Sequence, residues 1–163
     1  MTQEQSALIL LAVMALALGG AWWGWRRRRN SYSGWKSFFT WSDPEGSVTE
    51  GIECLYVGTS EAGAPLQRVA VGPLAFRSQA TLGFAPGGLV LDARGSDPIV
   101  LPFSANLRAG RATWTIDRVV EPDGLLMVQW LLGPHMVDSY FRLVDSNLEA
   151  VVDRINSLAK ENQ

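Results

Sequence analysis

From Ser6 to Trp25 the chain runs for 20 residues without a charge, then sets Arg26, Arg27, Arg28 and Arg29 in succession. At about 1.5 Å rise per residue, such a run makes a helix roughly 30 Å long, the thickness of a bilayer's hydrocarbon core. The spacing therefore predicts a transmembrane helix over residues 6–25. A cleaved secretory signal would place basic residues before a shorter apolar run. Here Thr2, Gln3, Glu4 and Gln5 precede the run and the cations follow it. Cytoplasmic flanks carry the Lys and Arg excess. The expected location is the cell membrane, single-pass, with residues 1–5 outside, residues 6–25 in the bilayer and the C-terminal domain cytoplasmic. Trp22, Trp23 and Trp25 suit the headgroup level at the helix end. Gly20 and Gly24 have the Gly-x-x-x-Gly spacing that lets helices approach closely, which admits a homo-oligomer through this segment.

The net charge of −2 conceals an asymmetry. Residues 1–25 carry only Glu4, residues 26–36 carry +5, and residues 37–163 carry nine basic against fifteen acidic side chains. An acidic domain excludes a nucleic-acid partner of the usual kind, whose binding rests on Lys and Arg neutralising phosphates. The one cysteine, Cys54 in Ile52-Glu53-Cys54-Leu55, makes no internal disulfide and reads as a small buried strand residue.

Residues 26–51 read as a basic and aromatic juxtamembrane linker. Trp35, Phe38 and Phe39 fall at i, i+3 and i+4 with Trp41 close behind, so a short helical turn would gather the rings. Such a turn can rest on the membrane surface or pack on the domain, and its place next to an anchor slightly favours the membrane surface. Asp43-Pro44-Glu45-Gly46 then breaks the pattern.

From residue 52 the period changes to strands, at 52–58, 67–71, 78–84, 89–92, 99–103, 111–120, 125–132 and 137–143. Ala80, Leu82 and Phe84 alternate with Gln79, Thr81 and Gly83, as a half-buried strand requires. Seven or eight short strands separated by Gly, Pro and Asp turns argue for a small antiparallel barrel or sandwich. One amphipathic helix closes the chain. Ser146-x-x-Glu149 fits a capping box, and Leu148, Val151, Val152, Ile155 and Leu158 form an apolar stripe suited to capping a barrel end. The predicted domain spans 52–160, with 161–163 as a tail.

Strands followed by one C-terminal helix are the layout of a pleckstrin-homology-like domain. Leu55-Tyr56-Val57-Gly58-Thr59, Arg77-Ser78-Gln79-Ala80-Thr81-Leu82, Gly88-Leu89-Val90-Leu91 and Glu121-Pro122-Asp123-Gly124-Leu125-Leu126-Met127-Val128-Gln129-Trp130 resemble the blocks of an actinobacterial family of single-pass membrane proteins. Those proteins carry a bacterial PH-like domain and are commonly encoded among pyrimidine-biosynthesis genes. The resemblance implies a transmembrane helix plus a PH-like domain, and it implies no activity, cofactor or catalytic residue. The aromatic stretch 35–41 departs from the Pro- and Ala-rich linker of that family.

Residue chemistry points the same way. His135, Asp138 and Ser139 lie close in sequence, but residues three apart on a hairpin do not converge as a triad requires. One His and one Cys make no zinc set. Asp92, Asp97, Asp117, Glu121 and Asp123 sit in or beside expected turns. The stretch 58–65, taken as the first hairpin loop, has Glu61 and no Lys or Arg, which argues against phosphoinositide binding there. No catalytic, cofactor or metal residue is assigned. The sequence reads as a non-catalytic protein-interaction module at the cytoplasmic face, with lipid contacted through the N-terminal helix and an unidentified protein partner. Edge strands or the groove beside residues 148–158 are the expected docking places. The alternatives are an accessory component of membrane transport or export, or a factor linked to pyrimidine metabolism.

Overall fold

The computed structural model describes residues 3–41, 51–103, 106–112, 114–115, 118–119 and 124–162. Two compact units emerge, Met1–Gly34 and Trp35–Gln163. The first is one continuous helix, α1 (Gln3–Ser31), which runs on through the arginines. Its segment Ile9–Arg26 is long and apolar enough to cross a membrane, and none of that segment is buried within the protein. Cations at a helix C-terminus are favoured by the backbone dipole. Arg26 also lies 5.5 Å over the Trp22 ring, one turn earlier.

The second unit begins within a short 3-10 helix, Ser33–Phe38, followed by β1 (Thr40–Trp41). Then come β2 (Gly51–Glu61), β3 (Ala64–Arg68), a 3-10 turn (Gly72–Leu74), β4 (Ser78–Ala85), β5 (Gly88–Ala93) and β6 (Ile99–Pro102). The chain continues with β7 (Arg108–Ala112), β8 (Trp114–Thr115), β9 (Arg118–Val119), β10 (Leu125–Leu132), β11 (His135–Leu143) and α2 (Leu148–Glu161). Nine strands form one antiparallel sheet in the order β1-β6-β5-β4-β2-β11-β10-β7, with β3 also on β2, while β8 and β9 pair separately. Strand β2 thus bridges two meanders, β4-β5-β6 and β7-β10-β11.

Period-2 patterning sets the core. Ala80, Leu82 and Phe84 are all buried, and so are Leu89, Leu91, Ile99, Leu101, Trp130 and Phe141. Two-residue turns at Pro86-Gly87 and Gly133-Pro134 hold the hairpins in register, with Ala85 opposite Gly88 and Leu132 opposite His135. Gly133 sits at φ +61°, a conformation side chains with a Cβ rarely adopt.

Several boundaries differ from the sequence reading. The stretch taken as a first hairpin loop is largely strand, because β2 runs to Glu61 and β3 starts at Ala64. The long strand expected over 111–120 is replaced by β7, ending at Ala112, and the β8–β9 pair. Of the turn expected over Glu121-Pro122-Asp123-Gly124, residues 121–123 lie outside the described residues. The cap of α2 is Asn147 rather than Ser146. Asn147 Oδ1 accepts from the Glu149 and Ala150 amides at 3.0 and 3.3 Å, while Ser146 Oγ donates to the Val144 carbonyl. The buried stripe of α2 is Val151, Ile155 and Ala159, with Leu148, Val152 and Leu158 half-buried.

The aromatic stretch is the largest correction. Trp35 and Phe39 are only 9% and 7% exposed, so these rings are not lying on a bilayer. Trp35 stacks on His135 with centroids 3.9 Å apart and planes 9° apart. Phe38 lies over Gly133, where a Cβ would come within 2.5 Å of its ring, and Phe39 crowds Gly72 in the same way at 2.9 Å. Main-chain pairing of Thr40 with Val100 extends the sheet. These rings find their partners on the domain, at His135, Gly133 and Gly72, and the burial of Trp35 and Phe39 removes apolar surface from water there.

Candidate interaction surface

Four polar side chains inside the barrel, Tyr56, Thr59, Trp130 and Ser139, are engaged with one another, while Ser60 Oγ and Ser78 Oγ are buried outside that chain. Residues Tyr56 and Thr59 lie three apart, yet both are wholly buried, because the β2–β11 register shifts where Tyr140 faces Gly58 and Phe141 faces Tyr56. That bulge at Val57 turns Thr59 to the same side as Tyr56. Trp130 Nε1 lies 2.9 Å from Ser139 Oγ, Ser139 Oγ 2.7 Å from Thr59 Oγ1, and Thr59 Oγ1 2.8 Å from the Tyr56 hydroxyl, which donates to the Leu74 carbonyl at 3.3 Å. An indole N–H can only donate and a carbonyl can only accept. The direction is therefore fixed: Trp130 to Ser139 to Thr59 to Tyr56 to Leu74. Every hydroxyl in the chain gives one hydrogen bond and takes one.

Ser139 is consequently held in the core and is no nucleophile. Asp138, its neighbour on the opposite face of β11, accepts from Gln129 Nε2 at 2.9 Å, and His135 is stacked on Trp35. The three residues are not brought together. Cys54 is buried, its thiol donates to the Ala80 carbonyl at 3.4 Å, and burial pushes its pKa up to about 12. Burial likewise raises the Tyr56 phenol, against smaller lowering effects from Thr59 and Arg68. Of the turn carboxylates, Asp92 lies on β5 and Asp97 on the β5–β6 turn, while the Asp117, Glu121 and Asp123 side chains lie outside the described residues. No cluster of three His, Cys, Asp or Glu able to hold a metal is present among the described residues.

An open groove of about 510 Å³ lies along β2, β4 and β5, lined by Glu53, Cys54, Gln79, Ala80, Thr81, Asp92, Arg94 and Val144. Glu53 pairs with Thr81 and Thr81 with Asp92, so two carboxylates flank a hydroxyl in one cross-strand row. Arg94 Nη1 donates to Gln79 Oε1 at 3.0 Å along one wall. The residues offer acceptors at the centre and a half-exposed valine at the rim, which suits a segment carrying a cation and a small apolar side chain.

The other expected docking place, beside α2, is occupied. Asn156 Oδ1 accepts from the Ala109 amide at 2.8 Å, and Asn156 Nδ2 donates to the Ala109 carbonyl at 3.0 Å. One side-chain amide thus pairs with both backbone groups of an edge residue, as a neighbouring strand would. Arg111 and Glu149 bridge the same two elements at 3.0 Å. Sequence reading missed Tyr56, Thr59, Trp130 and Asn156, since a bulge and a long-range helix–strand contact leave no periodic signature.

A sheet whose first long strand joins two meanders, with one helix packed against the last of them, defines a PH-like domain with an apolar helix ahead of it. The chain belongs to the bacterial PH domain-like family, which matches residues 40–156. No curated protein matches the sequence.

Proposed function

We propose that this chain is a membrane-anchored, non-catalytic docking module. In this reading α1 stays in the bilayer and the PH-like domain presents the Glu53–Thr81–Asp92 groove to a protein partner at the cytoplasmic face. The observation that carries it is the unburied span Ile9–Arg26, followed by cations, on the same chain as a domain whose buried Trp130, Ser139, Thr59 and Tyr56 are committed to one another. Apolar surface of that extent, left in water, is unfavourable, and the arginine flank favours a domain on the cytoplasmic side. The test has two arms. A reporter enzyme active only outside the cell, fused to the C-terminus, should be silent, and activity there overturns the topology. A photo-crosslinker at Thr81, in cells, should capture a protein that an identical group at Asp145 does not. Equal or absent capture overturns the groove.

Gly20 and Gly24 supply the one structural argument for the second reading, an accessory component of a transport or export system. A Cβ at either position meets nothing within 4 Å, so that face is open to another helix. Native gels showing only monomer after mild extraction would exclude it. A link to pyrimidine metabolism rests on gene context in the resembled family alone.

A further inference from the structure

We propose that the connection between β2 and β4, residues 62–77, is a second membrane contact, which sets the side chains of Leu66 and Phe76 into the bilayer that α1 spans. This inference rests on the anchored reading above. Leu66 is 85% and Phe76 79% exposed, well beyond any other large apolar side chain described in the domain. Looseness of the connection does not explain it. Between the two lie Val69, Val71, Pro73 and Leu74, all buried. The Val69 amide bonds the Thr59 carbonyl at 2.9 Å, Tyr56 bonds the Leu74 carbonyl, and Arg68 Nη2 bonds the Ala75 carbonyl at 3.4 Å. A connection that buries four apolar residues and pins its own backbone holds two others out in solvent.

Chain connectivity says what covers them. Phe39 packs on Gly72, so the connection adjoins the segment that leaves the anchor. From Arg29 to Trp35 the chain has six residues, a reach of at most about 20 Å whatever its conformation. This end of the domain is therefore tethered close to the bilayer, at an effective concentration on the order of millimolar for a linker so short. Arg77, exposed, follows Phe76 directly, and Lys36, also exposed, lies on the segment that leaves the anchor, as cations do at an interface. The chain after residue 36 is nevertheless net acidic. General electrostatic attraction to anionic headgroups does not draw the domain down, and the contact must come from apolar insertion.

The experiment uses the full chain in vesicles of zwitterionic lipid carrying nitroxides on the acyl chains. A fluorophore is attached through Leu66→Cys, Phe76→Cys or Pro86→Cys, with the buried Cys54 left in place. Pro86 follows the far end of β4, about 25 Å of strand away from Phe76 at ~3.3 Å per residue. Quenching at 66 and 76 should exceed that at 86 by at least about threefold, the contrast between a probe some 5–10 Å deep in the boundary and one in water. It should persist in high salt and without anionic lipid. Equal quenching at all three sites overturns the inference while the anchor stands. Quenching that needs anionic lipid and disappears in salt overturns it in favour of headgroup electrostatics. A blue shift that grows with protein concentration without quenching overturns it in favour of a second copy. Failure of the chain to float with the vesicles overturns the anchor, and this contact with it.

Discussion

Replacing Ser139 by Ala tests whether the buried hydroxyl chain has the direction deduced for it. The substitution removes one oxygen, so the cavity is negligible and the loss is electrostatic. Trp130 Nε1–H, on a side chain only 2% exposed, loses its acceptor at 2.9 Å and has no lone pair with which to change role. Thr59 loses the proton that Ser139 gave it but still donates to Tyr56. One orphaned buried donor costs about 1–3 kcal/mol, and the second, partial loss keeps the total near 2 kcal/mol. For a domain of this size that is a fall in Tm of roughly 6–10 °C. Urea unfolding of the full chain in micelles, followed by circular dichroism, measures it. The cycle with Trp130→Phe isolates the pair: once the indole N–H is gone the serine has less to satisfy, and the double variant should recover about 1 kcal/mol relative to additivity. A cost for Ser139→Ala under about 0.5 kcal/mol, or a cycle without coupling, would refute the directed chain.

Asn156→Ala should cost about 1 kcal/mol, since both backbone groups of Ala109 lose a partner that water partly replaces. Hydrogen exchange at the Ala109 amide should quicken by about fivefold, in line with that cost. Gly88→Ala drives a Cβ into the Leu101 carbonyl and the Pro102 Cα, backbone atoms that cannot rotate away, so it should destabilise by about 2 kcal/mol or prevent folding. Cys54 should resist thiol reagents in the folded protein, because with its pKa at about 12 only about one thiol in 10⁴ is ionised at pH 8. The same shift sets an alkaline limit. Between the unfolded thiol's 9.0 and about 12 the folded state holds the proton more tightly, so stability is full below pH 9 and falls as pH rises through that window, with Tyr56 adding in the same sense. An unfolding curve that strengthens above pH 9 would contradict this.

Much of this architecture is legible in the chain because it follows from local chemistry. The Ser6–Trp25 run, the alternation at Ala80, Leu82 and Phe84, and the stripe through Val151 and Ile155 each report a period, and a period survives whatever the rest of the molecule does. Three features escape for physical reasons. Trp35 and Phe39 carry a helical spacing that reads equally well as a membrane-surface turn, and only the partners at His135 and Gly72, far along the chain, decide between them. Thr59 reads as a turn residue because the bulge at Val57 breaks the alternation that would have marked it as buried. Asn147 takes the cap from Ser146 because either can accept from a first-turn amide, and one residue of phase is set by how α2 meets the sheet.

The closure of the β7 edge bears on which kind of partner the domain suits. A peptide adding itself as a strand beside β7 would have to displace Asn156 from both backbone groups of Ala109 and also separate Arg111 from Glu149. It would gain in return only the bonds already made, so the net hydrogen-bond gain there is close to zero. The outer face of β2, β4 and β5 is different: Glu53 and Asp92 are exposed, and their row can accept a partner's cation without breaking anything inside the domain. Surface charges of this kind act mainly on encounter rate and are screened by salt. Docking through the groove should therefore weaken steeply with ionic strength, whereas docking through a strand edge would not, and this difference separates the two modes in a single titration.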